Sequence, residues 1–384
     1  MKKIILMLVC LPMFVFACKG SKNVEETTVT PPPSSITKSS FGQTRDSIAV
    51  DMYTLKNENG MEVKIITYGG IITNWTAPDK NGKYEDIVLG FDSISGYMRG
   101  SPYFGALIGR FGNRIAKGKF SINGQQYTLA GNNMGNHLHG GLKGFDKVVW
   151  KAEPMEGKEP ALKLTYLSKD MEEGYPGNLN CTVIYTLTAD NSVKIDYSAT
   201  TDKETIVNLT NHSYFNLNAN QGTILDHMVT LNSDKYLPVS RTLIPTGELR
   251  PVANTPFDFT TPYAVGARIN DTTDQQIVFG GGYDHAYILK GDGKLNLAAT
   301  VVAPSSGRKM EVFTTEPAIQ FYSGNFLDGK LTGKNGVKYV KRSGLCLESE
   351  HYPDAPNQPA FPSVALKPGE TYKTSTVYKF SVVK

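Results

Sequence analysis

The residues with the most chemical capacity lie in Ile206–Leu217, IVNLTNHSYFNL. β-Branched and aromatic residues dominate this stretch, which predicts a strand. Side chains on a strand alternate between its two faces. Asn208, Thr210, His212, Tyr214 and Asn216 therefore share one face. Val207, Leu209, Phe215 and Leu217 share the other, with Asn211 and Ser213 between them. The first face offers amides, hydroxyls and an imidazole but no carboxylate or ammonium. That set suits a ligand rich in hydroxyls and without net charge, which describes a sugar, and it places His212 at the centre of the expected site.

Four further clusters carry ionisable groups. His137 and His139 form His-x-His within Asn136–Gly141. On a strand both would point the same way, which also fits two metal ligands. That metal-binding pattern wants a Glu a few residues on, whereas Gly-Gly-Leu-Lys-Gly follows and the next acid is Asp146, so no metal is expected. The pair Gly140-Gly141 implies close approach of backbone or ligand beside His139. Arg110 and Arg114 lie in Gly109–Ile115, GRFGNRI, inside otherwise uncharged β sequence. A buried guanidinium is costly unless paired or facing a ligand, and for each arginine a structural ion pair and a ligand role are both open. Gly280–His285, GGGYDH, leads into the apolar strand Ala286–Leu289, and no Lys-Ser/Thr follows to make it a phosphate loop. Asp284 there is either a turn cap or a partner for sugar hydroxyls. In Cys346–Pro353, CLESEHYP, Glu348 shares a face with Cys346 and Glu350 if the strand continues. Glu348 is either a carboxylate leaving the core or a general base whose pKa burial raises.

Such groups need a stiff support, and from Asp46 onward the pattern is β. Ile48–Leu55 and Met61–Tyr68 alternate around Asn59-Gly60, a strong hairpin signal. Asn123-Gly124 joins Lys119–Ile122 to Gln125–Leu129 in the same way. Leu162–Leu167, Leu179–Thr188 and Val193–Thr200 continue the alternation, and no segment keeps a helical period. Many short strands with regular turns predict an all-β fold, a sandwich or barrel, as one large domain over residues 44–384.

The N-terminus is organised differently. Lys2-Lys3, the apolar run Ile4–Phe16 and Ala17-Cys18 describe a signal peptide over residues 1–17. Val15-Phe16-Ala17-Cys18 resembles a bacterial lipobox, in which Cys18 is lipidated and becomes the first mature residue; the bulk of Phe16 leaves ordinary cleavage open. A lipid on Cys18 would be the only attachment to a membrane. Residues 18–43, rich in Ser, Thr and Pro with Pro31-Pro32-Pro33 inside, are expected to be a flexible linker. The four cysteines then reduce to Cys181 and Cys346 in the folded part, where buried thiols and a disulfide are both open. The formal charge of +4 falls to +2 without Lys2 and Lys3. With no basic run, a nucleic-acid partner is not expected.

The wording and order of the motifs go further. Pro102-Tyr-Phe-Gly-Ala, Gly-Arg-x-x-Asn-Arg-Ile, Leu-His-Gly-Gly, Asn-Leu-Thr-Asn-His-Ser-Tyr-Phe-Asn-Leu, Asp-His-Ala, Gly-Asn-Phe-Leu-Asp-Gly and Cys-Leu-Glu closely resemble the aldose 1-epimerase (galactose mutarotase) family. Gly174–Asn178, Ile244–Glu248, Asn357–Pro359 and Pro368–Glu370 add to the resemblance, which runs from about residue 50 to the C-terminus. It implies a large antiparallel β-sandwich with the sugar in an open groove, lined by the polar face of Ile206–Leu217. It implies interconversion of the α and β anomers of free aldoses such as galactose and glucose, without a cofactor because no oxidation state changes. It assigns Glu348 as base on the anomeric hydroxyl, His212 as acid for the ring oxygen, and His139 as the second active-site histidine. A histidine near its ordinary pKa would exchange protons readily at neutral pH. Arg114 and Asp284 match residues that hold hydroxyls, with Asn113 beside Arg114. Two departures stand out: Met171 replaces the usual Gly before Glu-Glu-Gly-Tyr-Pro, and Gly112 replaces the common Ala before Asn-Arg-Ile.

The N-terminal features lie outside the family pattern and imply sugars met in the cell envelope, by a periplasmic or outer-membrane lipoprotein. Two alternatives are a non-catalytic sugar-binding lipoprotein on the same fold and an epimerase of phosphorylated hexoses. The second needs a basic phosphate pocket.

Overall fold

Trp75 marks the middle of the core. Its ring packs edge-on against Phe215, Tyr378 and Phe380 at 5.3–5.5 Å between centroids. Trp75 belongs to a five-stranded antiparallel sheet of Ser35–Gln43, Ala49–Lys56, Glu62–Ile66, Ile72–Pro78 and Tyr84–Asp86. Tyr378 and Phe380 belong to a nine-stranded sheet. The contact between them is the inside of a β-sandwich, as the alternating pattern requires. The computed structural model describes residues 34–383.

The nine-stranded sheet runs in the order Lys151–Met155, Ala161–Ser168, Leu179–Leu187, Ser192–Thr201, Tyr372–Val382, Arg308–Thr314, Asn296–Val302, Met228–Leu231 and Tyr263–Ala264. Its alternation is regular: in Leu179–Leu187 every second residue, from Leu179 to Leu187, is buried. The last strand, Tyr372–Val382, lies between Ser192–Thr201 and Arg308–Thr314. From it the Tyr378 hydroxyl donates to the Leu347 carbonyl at 2.9 Å. Leu347 belongs to a second five-stranded sheet, ordered Arg250–Pro251, Lys235–Tyr236, Asp284–Ile288, Ala318–Tyr322 and Cys346–Glu350. Cys181 and Cys346 are buried free thiols. Helix is confined, among the described residues, to Ile94–Met98, Gln275–Gly280 and single 3₁₀ turns.

Two expectations need correction. The linker expected to reach residue 43 gives way earlier, because Ser35–Gln43 is a strand paired from Ser35↔Lys56 to Gln43↔Ala49. Its composition is polar because only Ile36 and Phe41 turn toward the core clusters. Pairing with the open edge of Ala49–Lys56 satisfies the backbone, so little apolar burial is needed to hold it. The signal peptide, the rest of the linker and Cys18 lie outside the described residues.

The second correction concerns Ile206–Leu217. It is buried along its length but is not one continuous strand. Thr205–Ile206 pairs with Ala365–Leu366, Thr210–Asn211 pairs with Leu107–Ile108, and Phe215 bridges Val88 and Leu345. The apolar face enters the core as expected, with Val207, Leu209, Phe215 and Leu217 in the main cluster. Each such side chain contributes about 1.5–3 kcal/mol of burial. The polar face divides. Asn208 exchanges bonds with the His351 backbone, and Asn216 donates to the Ser343 carbonyl at 2.8 Å. Only His212 and Tyr214 reach the cavity described next.

Candidate active site

Asn113, Arg114, His139, His212, Asp284 and Glu348 line one cavity of about 420 Å³. The six come from positions spread over more than half of the chain, and each is buried. A larger hollow of about 710 Å³, walled by Arg45, Lys143 and Lys151 among others, contains none of them.

His212 is fixed through its backbone. Its N–H donates to the Ala106 carbonyl at 2.9 Å, and its carbonyl accepts the Gly105 N–H at 3.0 Å. Its ring stacks on Tyr214 at 5.0 Å and on Tyr103 at 5.7 Å. Nε2 then faces Oε1 of Glu348 at 3.6 Å, a separation that leaves the two groups as neighbours rather than a closed hydrogen bond. Glu348 stands on the Cys346–Glu350 strand opposite Gln320 of Ala318–Tyr322. Gln320 Nε2 donates to Asp284 Oδ1 at 2.7 Å, and Asp284 Oδ2 lies 3.9 Å from Arg114 Nη2. Arg114 is also steered by Asn133, whose Oδ1 accepts its Nε–H at 3.2 Å.

His139 faces the same space at 5.1 Å from His212 between ring centroids. It exchanges bonds with Asn113: its backbone N–H donates to the Asn113 carbonyl at 3.0 Å, and its Nδ1 accepts the Asn113 N–H at 3.1 Å. Both residues have left-handed backbone, φ +50° at His139 and +61° at Asn113. That turn separates the two histidines of His-x-His, whose strand His137–Leu138 is only two residues long. His137 bonds instead to the Tyr175 hydroxyl at 2.6 Å and the Ala130 carbonyl at 2.9 Å.

Burial dominates the electrostatics. It drives His212 down to about 3 and His139 well below its ordinary value, with Arg114 adding to both shifts and His212 adding to that of His139. The same burial raises Glu348, helped by the negative fields of Glu350 and Asp284 and opposed by Arg114. Asp284 is raised by burial and opposed by Arg114 and the Gln320 bond. The expectation of a histidine near its ordinary pKa is therefore wrong for His212. Burial without an ion-pair partner at bonding distance favours its neutral form, and the same burial favours the neutral form of Glu348.

Ring nitrogens and a carboxylate oxygen of His139, His212 and Glu348 all lie within 4.8 Å of one another, a spacing that could surround a metal ion. A metal-bound imidazole normally donates its other N–H to an acceptor. His139 does the reverse, receiving an N–H at Nδ1, so its Nε2 carries the proton and has no lone pair to offer. The set fits proton transfer and hydrogen bonding better than metal binding.

The family model described as aldose 1-epimerase matches residues 51–379. The chain belongs to the aldose 1-epimerase family. The galactose mutarotase of Homo sapiens is 46% identical over 351 residues, covering 91% of this chain and 99% of its own. The aldose 1-epimerase of Escherichia coli is 40% identical over 334 residues, covering 86% and 94%. A crystal structure of galactose 1-epimerase from Lactobacillus acidophilus superposes with a TM-score of 0.80 at 29% identity, covering 91% of this chain and all of that one. The sandwich is thus the galactose mutarotase fold.

The geometry separates the two arginines and places Asp284. Arg110 is structural: its guanidinium donates to Ser168 Oγ at 2.9 Å and to the carbonyls of Pro176 and Lys169 at 2.8 and 2.7 Å. Arg114 is the arginine of this aldose 1-epimerase family cavity. Asp284 caps no turn, since both of its oxygens face Gln320 and Arg114. Met171 keeps a left-handed turn, φ +64°, at an exposed position. Sequence reasoning passed over Tyr103, Asn133, Gln320 and Tyr322. Tyr103 lay in the quoted Pro-Tyr-Phe-Gly-Ala motif; Gln320 gave no signal, because it enters only through cross-strand register with Glu348.

Proposed function

We propose that this cavity interconverts the α and β anomers of free aldoses, galactose and glucose among them, by acid–base opening and reclosure of the ring. The observation that carries the reading is the facing of His212 Nε2 and Glu348 Oε1 at 3.6 Å in a cavity also lined by Asn113, Arg114, His139 and Asp284. Opening requires removal of the proton on the anomeric hydroxyl and delivery of one to the ring oxygen, and both oxygens sit on the same carbon. Glu348 takes the first proton and His212 gives the second, while the bond between the anomeric carbon and the ring oxygen breaks. The aldehyde so formed turns about its bond to the next carbon. It is then attacked on its other face as the two groups exchange roles. One proton shared by the pair is enough for the cycle. The cycle starts from the form in which that proton has moved from Glu348 to His212. His139, with its proton on Nε2, donates to oxygen as charge develops there. Arg114, Asn113 and Asp284 hold hydroxyls.

Arg114 is the one permanent cation among the described residues lining the cavity, and it already faces Asp284. This favours unphosphorylated sugars. Polarimetry on freshly dissolved α-galactose tests the reading. Rotation should relax faster than the spontaneous rate in proportion to enzyme, and a rate equal to buffer alone rejects it.

The N-terminal sequence supports an envelope location. Lys2-Lys3, the apolar Ile4–Phe16 and Ala17-Cys18 make the chain an exported lipoprotein in this reading, anchored through Cys18. No helix among the described residues is long and apolar enough to cross a membrane. Mass spectrometry of the mature N-terminus should find a diacylglyceryl cysteine at position 18; an unmodified terminus removes the proposal.

A further inference from the structure

Glu350 is a buried acid that the mechanism above does not use. It follows Glu348 by two residues on the same face of its strand but does not line the cavity. It is fully buried. Its Oε1 accepts the side-chain N–H of Asn113 at 2.9 Å, and its Oε2 has no partner. Space for that second oxygen comes from Gly112, where an added Cβ would lie 3.0 Å from it. Gly112 and the carboxyl at 350 therefore fit each other.

Asn113 is the hub of the cavity's floor. Its side-chain oxygen accepts the Arg114 N–H at 2.9 Å, and its main chain grips His139 from both sides. Its side-chain amide points back to Glu350. We propose that Glu350 is a positioning residue for the active site: its carboxyl orients Asn113 and through Asn113 sets His139 and Arg114.

The charge state follows from the surroundings. An ionised carboxylate with a single hydrogen bond and no solvent is costly. The acids facing Glu350 are Glu348 on its own strand, Asp284 on Asp284–Ile288, and Glu316 just before Ala318–Tyr322. Glu316 is itself engaged by His351 Nδ1 at 2.6 Å and the Tyr372 hydroxyl at 3.1 Å. Arg114 is the facing cation, and it is committed to Asn133 and Asp284. Burial, reinforced by Glu316 and Asp284 and opposed by Asn113 and Arg114, raises Glu350 to about 8. A protonated carboxyl still presents its carbonyl oxygen to Asn113. It also keeps a second negative charge away from the oxygen that gains electron density when the ring opens.

The inference rests on the proposed roles of Glu348 and His139, and the test separates the two levels. kcat and KM for galactose are measured from pH 6 to 9 on the full chain, its Glu350→Gln and Glu350→Ala variants, and Glu348→Gln. Glu350→Ala should lose at least about tenfold in kcat/KM, since a small displacement of positioned groups costs that much. Glu350→Gln, which keeps the acceptor and cannot ionise, should recover most of the loss. In the wild type kcat/KM should fall as pH rises through about 8, and Glu350→Gln should lack that decline. Infrared spectroscopy at pH 7 should show buried carboxylic acid absorption, one component of which remains in Glu348→Gln and is lost in Glu350→Gln. Should Glu350→Ala fail to fold, the pH profile and the infrared band of Glu350→Gln still decide. A Gln variant as impaired as Ala, an unchanged decline near pH 8, or an unchanged infrared band overturns the inference while leaving the reaction intact. An inactive wild type instead overturns the functional reading beneath it.

Discussion

Nδ1 of His139 accepts the backbone N–H of Asn113 at 3.1 Å, and this fixes which end of the imidazole carries the proton. Nε2 must be protonated in the neutral ring, and burial keeps the ring neutral. Nitrogen NMR should therefore find His139 as the Nε2–H tautomer throughout pH 5 to 8. His139→Ala should lower kcat/KM by at least about tenfold through loss of a donor to the reacting oxygen. A His139 that titrates near 6.5 contradicts this assignment.

The acid–base pair makes a sharper demand. Glu348→Gln and His212→Asn should each reduce kcat by about a hundredfold or more, because each removes one proton-transfer partner. Both replacements are close in shape to the original, so thermal melting should move little. Near-normal turnover in either variant would remove that residue from the mechanism.

The pH profile of the low side follows from the sign of two shifts. His212 is depressed to about 3, so it gains a second proton for the pair only in strong acid. Glu348 is raised, so it keeps the shared proton to higher pH than an ordinary carboxyl. The histidine of the pair therefore does not titrate near 6.5, and kcat/KM should show no acid limb centred there. An acid limb centred near 6.5 would show a histidine of ordinary pKa at work instead.

The two arginines of the GRFGNRI motif should separate cleanly. Arg110→Met leaves a hydroxyl and three carbonyls without their buried donor. The expected cost is about 3 kcal/mol or more, read as a lower denaturation midpoint. Arg114→Met should lower the midpoint less than Arg110→Met, its ion-pair contact being 3.9 Å long, and raise KM for galactose at least about tenfold, since it lines the cavity. The reverse pattern would exchange their roles.

Local chemistry was legible where it is self-contained. The hairpin at Asn123-Gly124 is a turn that two residues specify, and its strands Lys119–Ile122 and Gln125–Thr128 lie within one residue of the prediction. Val207, Leu209, Phe215 and Leu217 entered the core because their spacing leaves no other use for them. Glu348, His212 and Asp284 were legible through motif wording, which carries what spacing alone does not. What could not be read is whatever depends on partners far along the chain. Asn208 and Asn216 looked like site residues, yet backbone groups of residues 351 and 343 claim them. Ser35–Gln43 looked like linker because an edge strand takes its bonds from a neighbour rather than from its own composition. The depression of His212 needs its burial, and burial is a property of the assembled sandwich.

Tyr372–Val382 sits in the interior of the largest sheet, between two strands that come from distant parts of the chain. Without it Ser192–Thr201 and Arg308–Thr314 have no neighbour to join them, and the strand bearing Glu348 lacks the hydroxyl that braces it from Tyr378. One strut thus ties the two halves of the sheet to each other and to the cavity wall. Loosening that strut would slacken scaffold and site together.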